Sequence, residues 1–119
     1  MTTLLTRPNH TGTQYRVCHT LNIPPCCPVS GNPLGGSYVK IIYRPRGLVL
    51  DVMPLPSYIK QFVGGLRGAS DTIEIRDMEA MIQRIADDCS SALDVPVRVY
   101  ADLVLWPHSQ RMHLRVTSR

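Results

Sequence analysis

Two adjacent cysteines, Cys26 and Cys27, stand inside the stretch Ile23-Pro24-Pro25-Cys26-Cys27-Pro28-Val29-Ser30-Gly31-Asn32-Pro33-Leu34-Gly35-Gly36. Proline fixes φ and removes a backbone donor, so this stretch predicts a stiff loop and neither a helix interior nor a central strand. A thiolate held on such a loop is a nucleophile or a metal ligand. Free cysteine is equally at home as a small buried hydrophobe, and spacing alone leaves that reading open for both. A metal site built from Cys18, His19, Cys26 and Cys27 is a further reading. Its Cys-His and Cys-Cys neighbours do not reproduce the two-residue spacing of a zinc knuckle. Arg98, Arg111, Arg115 and Arg119 recur at strand spacing. They fit the solvated face of a sheet, with nucleic-acid contact as the alternative. His10, His108 and His113 have no partner suggested by spacing, and Trp106 reads as packing or a subunit interface.

Several elements must position these residues. The chain has 119 residues, 44% of them hydrophobic, which suits one domain with a modest core. Its net charge of +4 permits an anionic partner without requiring one. No apolar run is long enough to span a membrane, and residues 1–9 lack the apolar core of a signal peptide, so a cytoplasmic protein with reduced cysteines is expected. Residues 1–22 read as an N-terminal arm, with residues 15–20 able to form a short edge strand, and residues 23–37 as the Pro/Cys loop. Residues 38–43 alternate with period two and predict a strand. A turn at 44–47 and a return strand at 48–53 complete an expected hairpin. Leu55, Tyr58, Ile59, Phe62 and Val63 recur at helical spacing, predicting a short helix over 56–63 that Gly64-Gly65 ends. Asp71 and Glu74 form a capping-box pattern. The apolar stripe Met78, Met81, Ile82, Ile85, Cys89, Ala92, Leu93 then predicts the longest helix, with Cys89 in the core. Glu79 sits at the margin of that stripe. Residues 95–106 and 111–117 predict a second hairpin around a turn at 107–110. Hairpin, two helices, hairpin make an α+β domain: a four-stranded antiparallel sheet with its helices on one face.

Cys27-Pro28-Val29-Ser30-Gly31-Asn32-Pro33, followed by a strand that ends Tyr43-Arg44-Pro45, resembles the 7-cyano-7-deazaguanine (preQ0) nitrile reductase family. There a Cys-Pro-x-Thr/Ser-Gly-Gln-Pro loop carries the nucleophile. The resemblance runs over roughly residues 25–105, with Met78-Glu79 standing where the family has a His-Glu pair and Leu93-Asp94 where it has a final Leu/Met-Asp. It implies the tunnelling fold, a ββααββ unit that associates side by side into homo-oligomeric barrels with sites between subunits. It also implies Cys27 as the nucleophile that adds to a nitrile carbon as a thioimide. Glu79 becomes the carboxylate that grips the N1–H and 2-amino edge of the ring, and Ser57 and Tyr58 line the site by position. The partner implied is preQ0 or a related purine or pterin; nucleic acid enters only as the carrier of a modified substrate.

Three departures bear on the chemistry. Leu34, Gly35 and Gly36 occupy the place of the family's general-acid aspartate, leaving Asp51 or Asp102 as substitutes from elsewhere. Asp51-Val52-Met53-Pro54-Leu55-Pro56-Ser57-Tyr58 replaces the lysine-rich segment that binds the phosphates of NADPH. Met78 replaces the histidine. Without the NADPH motif the resemblance shifts from reduction towards relatives that add ammonia to the thioimide and form an amidine. Cys26 is extra to the motif. A non-catalytic preQ0- or purine-binding module and a metal-dependent protein like the GTP cyclohydrolases of the same fold are the alternatives.

Overall fold

The computed structural model describes residues 4–11, 14–27, 30–63 and 78–119. Among these residues six strands and two helices follow one another: β1 (Thr6–Pro8), β2 (Val17–Asn22), β3 (Tyr38–Tyr43), β4 (Leu48–Leu50), α1 (Leu55–Lys60), α2 (Met78–Leu93), β5 (Val97–Leu105) and β6 (Gln110–Thr117). Gly64, Gly65, Asp71 and Glu74, and with them the helix stop and the capping box, lie outside the described residues.

The main sheet is antiparallel throughout, with strand order β2-β3-β5-β6. Period-two alternation gives it two unlike faces. Val39, Ile41 and Tyr43 of β3 and Val97, Val99, Ala101 and Leu103 of β5 are buried on one side. Met81, Ile82, Ile85, Ala86, Cys89 and Leu93 of α2 pack against them in one core. Leu55, Tyr58, Ile59 and Phe62 of α1 and its following turn join the same core. α1 is fastened to α2 by the Tyr58 hydroxyl, which donates to Asp88 Oδ2 at 2.6 Å. Burial and this acceptor push the Tyr58 hydroxyl pKa well above its ordinary value. The opposite face of the sheet carries Lys40, Arg98, Tyr100, Arg115 and other polar side chains, and among the described residues no helix covers it.

The expected hairpin of 38–43 with 48–53 does not form. β3 pairs with β2 on one side and β5 on the other. A strand has only two hydrogen-bonding edges, so none remains for β4. β4 pairs instead with β1 in a separate two-stranded sheet, Thr6 opposite Leu50 and Pro8 opposite Leu48. The N-terminal arm is therefore partly structured. Asn9 locks it down, with its backbone N–H on Gly47 O and its side-chain amide on Arg46 O. β4 still touches β3 through one bond, the Leu50 N–H donating to the Tyr43 hydroxyl at 3.0 Å. The edge strand expected at 15–20 is β2, shifted to Val17–Asn22. It is the true partner of β3, and the Pro/Cys loop connects the two.

Candidate functional site

The Pro/Cys loop is built by its own backbone. The N–H groups of Cys26 and Cys27 both donate to Asn32 O at 2.8 Å, and Gly31 N–H returns to Cys27 O at 2.9 Å. Gly31 has φ of 75° and Gly36 φ of 93°, left-handed conformations that glycine adopts without a Cβ penalty. The Ser30 hydroxyl accepts the Asn32 N–H at 3.2 Å. Pro28 and Val29 lie outside the described residues.

The loop is then stitched to the far end of β5. The Asn32 side chain both accepts from Trp106 N–H at 2.6 Å and donates to Trp106 O at 3.0 Å. It continues the sheet ladder with a side-chain amide in place of a peptide. Leu34 N–H donates to Val104 O at 2.7 Å. The Ser37 hydroxyl, 1% exposed, accepts Val104 N–H and donates to Leu34 O, both at 2.8 Å. Three residues thus turn a proline-rich loop into an extension of the sheet.

This frame treats the two cysteines differently. Cys26 is 4% exposed, sits in the apolar core cluster and donates its thiol to Pro24 O at 3.1 Å. Burial first, and the neighbouring Cys27 second, push its pKa up to about 11, so it stays a neutral thiol at physiological pH. Cys27 is half-buried at the loop's turn, and the Ser30 N–H points at its sulfur at 3.5 Å. The contact sets a backbone donor against the sulfur. Cys89 is fully buried on α2, its pKa pushed up to about 12 by burial and then by Asp88; it is a core residue.

The remaining residues singled out from the sequence are dispersed. Glu79 is exposed in the first turn of α2, and among the described residues no hydrogen bond joins it to the Pro/Cys loop. Ser57 is exposed on α1. Tyr58, beside it in sequence, points the other way: it is 2% exposed, lies edge-on to Phe62 and is engaged by Asp88, so it faces the core and no open cleft. Asp51 accepts the Met53 N–H and shapes the turn into α1. Asp102 is 8% exposed on the uncovered face and is held by Arg111 at 3.0 Å and the Tyr38 hydroxyl at 3.3 Å, with His113 Nε2 at 3.5 Å. Neither carboxylate belongs to the loop. Cys18 and His19 are consecutive on β2 and therefore point to opposite faces. His19 lies on the core side, stacked on Tyr43 with Nε2 3.0 Å from its hydroxyl, and burial lowers its pKa; Cys18 is exposed. Among the described residues no group of three or more potential metal ligands forms.

Asn32 and Ser37 were assigned no role in the sequence. Both are small polar residues in a turn-rich stretch, and only the register of the loop against β5 gives them their function. Asn32 alone left a signal, since it occupies the glutamine position of the motif.

No protein-family model matches the chain, and no curated protein matches it either. No helix among the described residues is long and apolar enough to cross a membrane.

Proposed function

We propose that the chain is a tunnelling-fold enzyme that attacks the nitrile of preQ0 or a close 7-deazapurine relative through Cys27. The observation that carries this reading is the contrast within the cysteine pair. One thiol is withdrawn into the core, and its neighbour is held at the turn of a stitched loop with a backbone N–H on its sulfur. The element order supports it as well. Within the main sheet the chain runs β2, β3, then both helices, then β5, β6, which is a ββααββ succession once β2 replaces β4 as the partner of β3.

In this reading the Cys27 thiolate forms a bond to the nitrile carbon. One π pair moves to the nitrile nitrogen, which takes up a proton from solvent, and the product is a covalent thioimide. Glu79 presents two coplanar oxygens to the N1–H and 2-amino edge of the ring. Because Glu79 is exposed at the start of α2 and not at the loop, the ring anchor comes from a neighbouring subunit of a homo-oligomer.

The residues present do not fit NADPH in the family's manner. The segment 51–58 has no lysine, and it spends Leu55 and Tyr58 on the core. The thioimide therefore goes on to ammonia: the amine adds to the imide carbon, the C–S bond breaks, and Cys27 leaves as thiolate with an amidine as product.

The test is the intact mass of the protein after incubation with preQ0, followed by addition of ammonium. The expected result is a mass increase equal to one preQ0 per chain that Cys27→Ala abolishes and ammonium discharges. Reversible binding without a mass change would reassign the chain as a binding module. No binding at all would overturn the reading.

A further inference from the structure

At the end of the sheet opposite the Pro/Cys loop, strand register gathers positive charge. Val17, Tyr43 and Val97 lie side by side on β2, β3 and β5. The residues one step beyond them, Arg16, Arg44 and Pro96, consequently share a row on the uncovered face, and Arg98 stands in the next row inward on the same face. A cleft of about 310 Å³ opens there, lined by Arg16, Arg44 and Arg98 over Ile42, Pro96 and Val97. A second hollow of about 270 Å³ shares Arg44 and Pro96 with it and adds Arg46 and Tyr15. Among the described residues no carboxylate lines either one.

Of the other described arginines, three are paired with acids and two, Arg7 and Arg115, are not. Arg84, Arg111 and Arg119 each reach an aspartate at 2.9 to 3.0 Å. Among the described residues, the guanidinium groups of Arg16, Arg44, Arg46 and Arg98 make no ion pair and no hydrogen bond. Four like charges around adjoining hollows repel one another, with no partner among the described residues. A guanidinium presents a planar fork of donors that matches phosphate oxygens. The apolar surface of Ile42 and Pro96 suits a flat body attached to that phosphate, and a cleft of this size falls in the range that small ligands fill.

We propose that this cleft binds the phosphate groups of a nucleotide-class anion. Free nucleotides and the backbone of single-stranded RNA supply the same chemistry, and the experiment separates them. This inference does not rest on the nitrile reading, because Cys27 and its loop are at the other end of the sheet.

The experiment is a fluorescence titration of the full chain with a fluorophore-labelled ADP, and in parallel with a labelled oligouridylate. Arg44→Glu and Arg98→Glu are compared with Lys60→Glu, a charge reversal on exposed α1. Charge-assisted contacts of this kind predict that each arginine reversal weakens binding by about ten-fold or more, with Lys60→Glu unchanged. Competition of unlabelled ADP with the bound probe assigns the site to free nucleotides. RNA binding that ADP does not displace, with affinity falling steeply with salt, assigns it to a polynucleotide. Thermal melts check that each variant is folded, and Arg44→Gln and Arg98→Gln replace any that are not. Binding of neither probe, or an equal loss in Lys60→Glu, overturns the proposal.

Discussion

The two ends of the central sheet are built on opposite principles. At the end where β2 passes into β3, backbone and side-chain groups answer one another: Asn32 closes on both polar atoms of Trp106, and Ser37 and Leu34 on those of Val104. At the end where β3 leaves and β5 begins, Arg16, Arg44 and Arg98 line a hollow with no acid among the described residues to answer them. A satisfied network fixes geometry, which a covalent step needs because attack depends on a near-exact approach. Unanswered charge fixes nothing, but it leaves long side chains able to adapt to an anion from outside. The molecule thus has one end suited to orienting and another suited to attracting.

The comparison breaks most completely at Cys27. Cys27→Ala is expected to abolish adduct formation with preQ0, while Cys26→Ala retains it, measured by intact mass. Adduct formation by Cys27→Ala would mean that the stitched end orients some other nucleophile. The next largest effect is on stability. Ser37→Ala removes a buried hydroxyl and strands the Val104 N–H, a loss of about 1–3 kcal/mol by urea denaturation. Asn32→Ala acts nearer the surface, with a stability loss of about 1 kcal/mol. It loosens the loop that holds Cys27, so the adduct rate falls by about ten-fold or more even under conditions where the variant is fully folded. An unchanged rate would show that the Trp106 clamp is structural only.

A smaller, pH-dependent effect separates Cys26 from its neighbour. In the unfolded chain its thiol ionises near 9.0, and in the folded chain burial defers this to about 11. Between those values the unfolded state has given up the proton that the folded state keeps, so stability is full below pH 9 and declines as pH rises towards 11. Melting temperatures followed from pH 8 to 11 should fall less steeply in Cys26→Ala than in the natural chain, with the remaining slope due to Cys89 and the buried tyrosines.

These differences were only partly legible in the sequence. Period-two alternation marked β3, β5 and β6 and the faces they bury, and the helical stripe marked α2, because both patterns record which side of an element meets the core. Alternation says nothing about which strand lies alongside, and this is where the hairpin of 38–43 with 48–53 failed. Tight turns favour sequence neighbours, but the fifteen-residue connection through the Pro/Cys loop brought β2 to the same edge of β3 and displaced β4 onto β1. Spacing alone did not separate the adjacent cysteines, and only the resemblance singled out Cys27, because burial is not a local property of the sequence. Tyr58 was assigned to the site by its place in a motif, and the helix turned it into the core beside Phe62. Arg16 and Arg44 are 28 positions apart, and only the register Val17 opposite Tyr43 makes them neighbours.

The smallest expected effect tests the unanswered end. If Arg16, Arg44 and Arg98 are held together by the strands against their own repulsion, removing one charge relieves it. Arg44→Gln should then be neutral or stabilising by less than about 0.5 kcal/mol, the range of an exposed substitution away from any network. Its sign matters more than its size. Repulsion between exposed charges is screened within a Debye length of about 8 Å at physiological ionic strength, so the gain should shrink as salt rises. Urea denaturation at low and high sodium chloride measures it. A loss of more than about 1 kcal/mol that salt leaves untouched would mean that Arg44 is a structural piece of the sheet end. The contrast between an answered and an unanswered end would then fail, because the guanidinium would have its partner inside the protein.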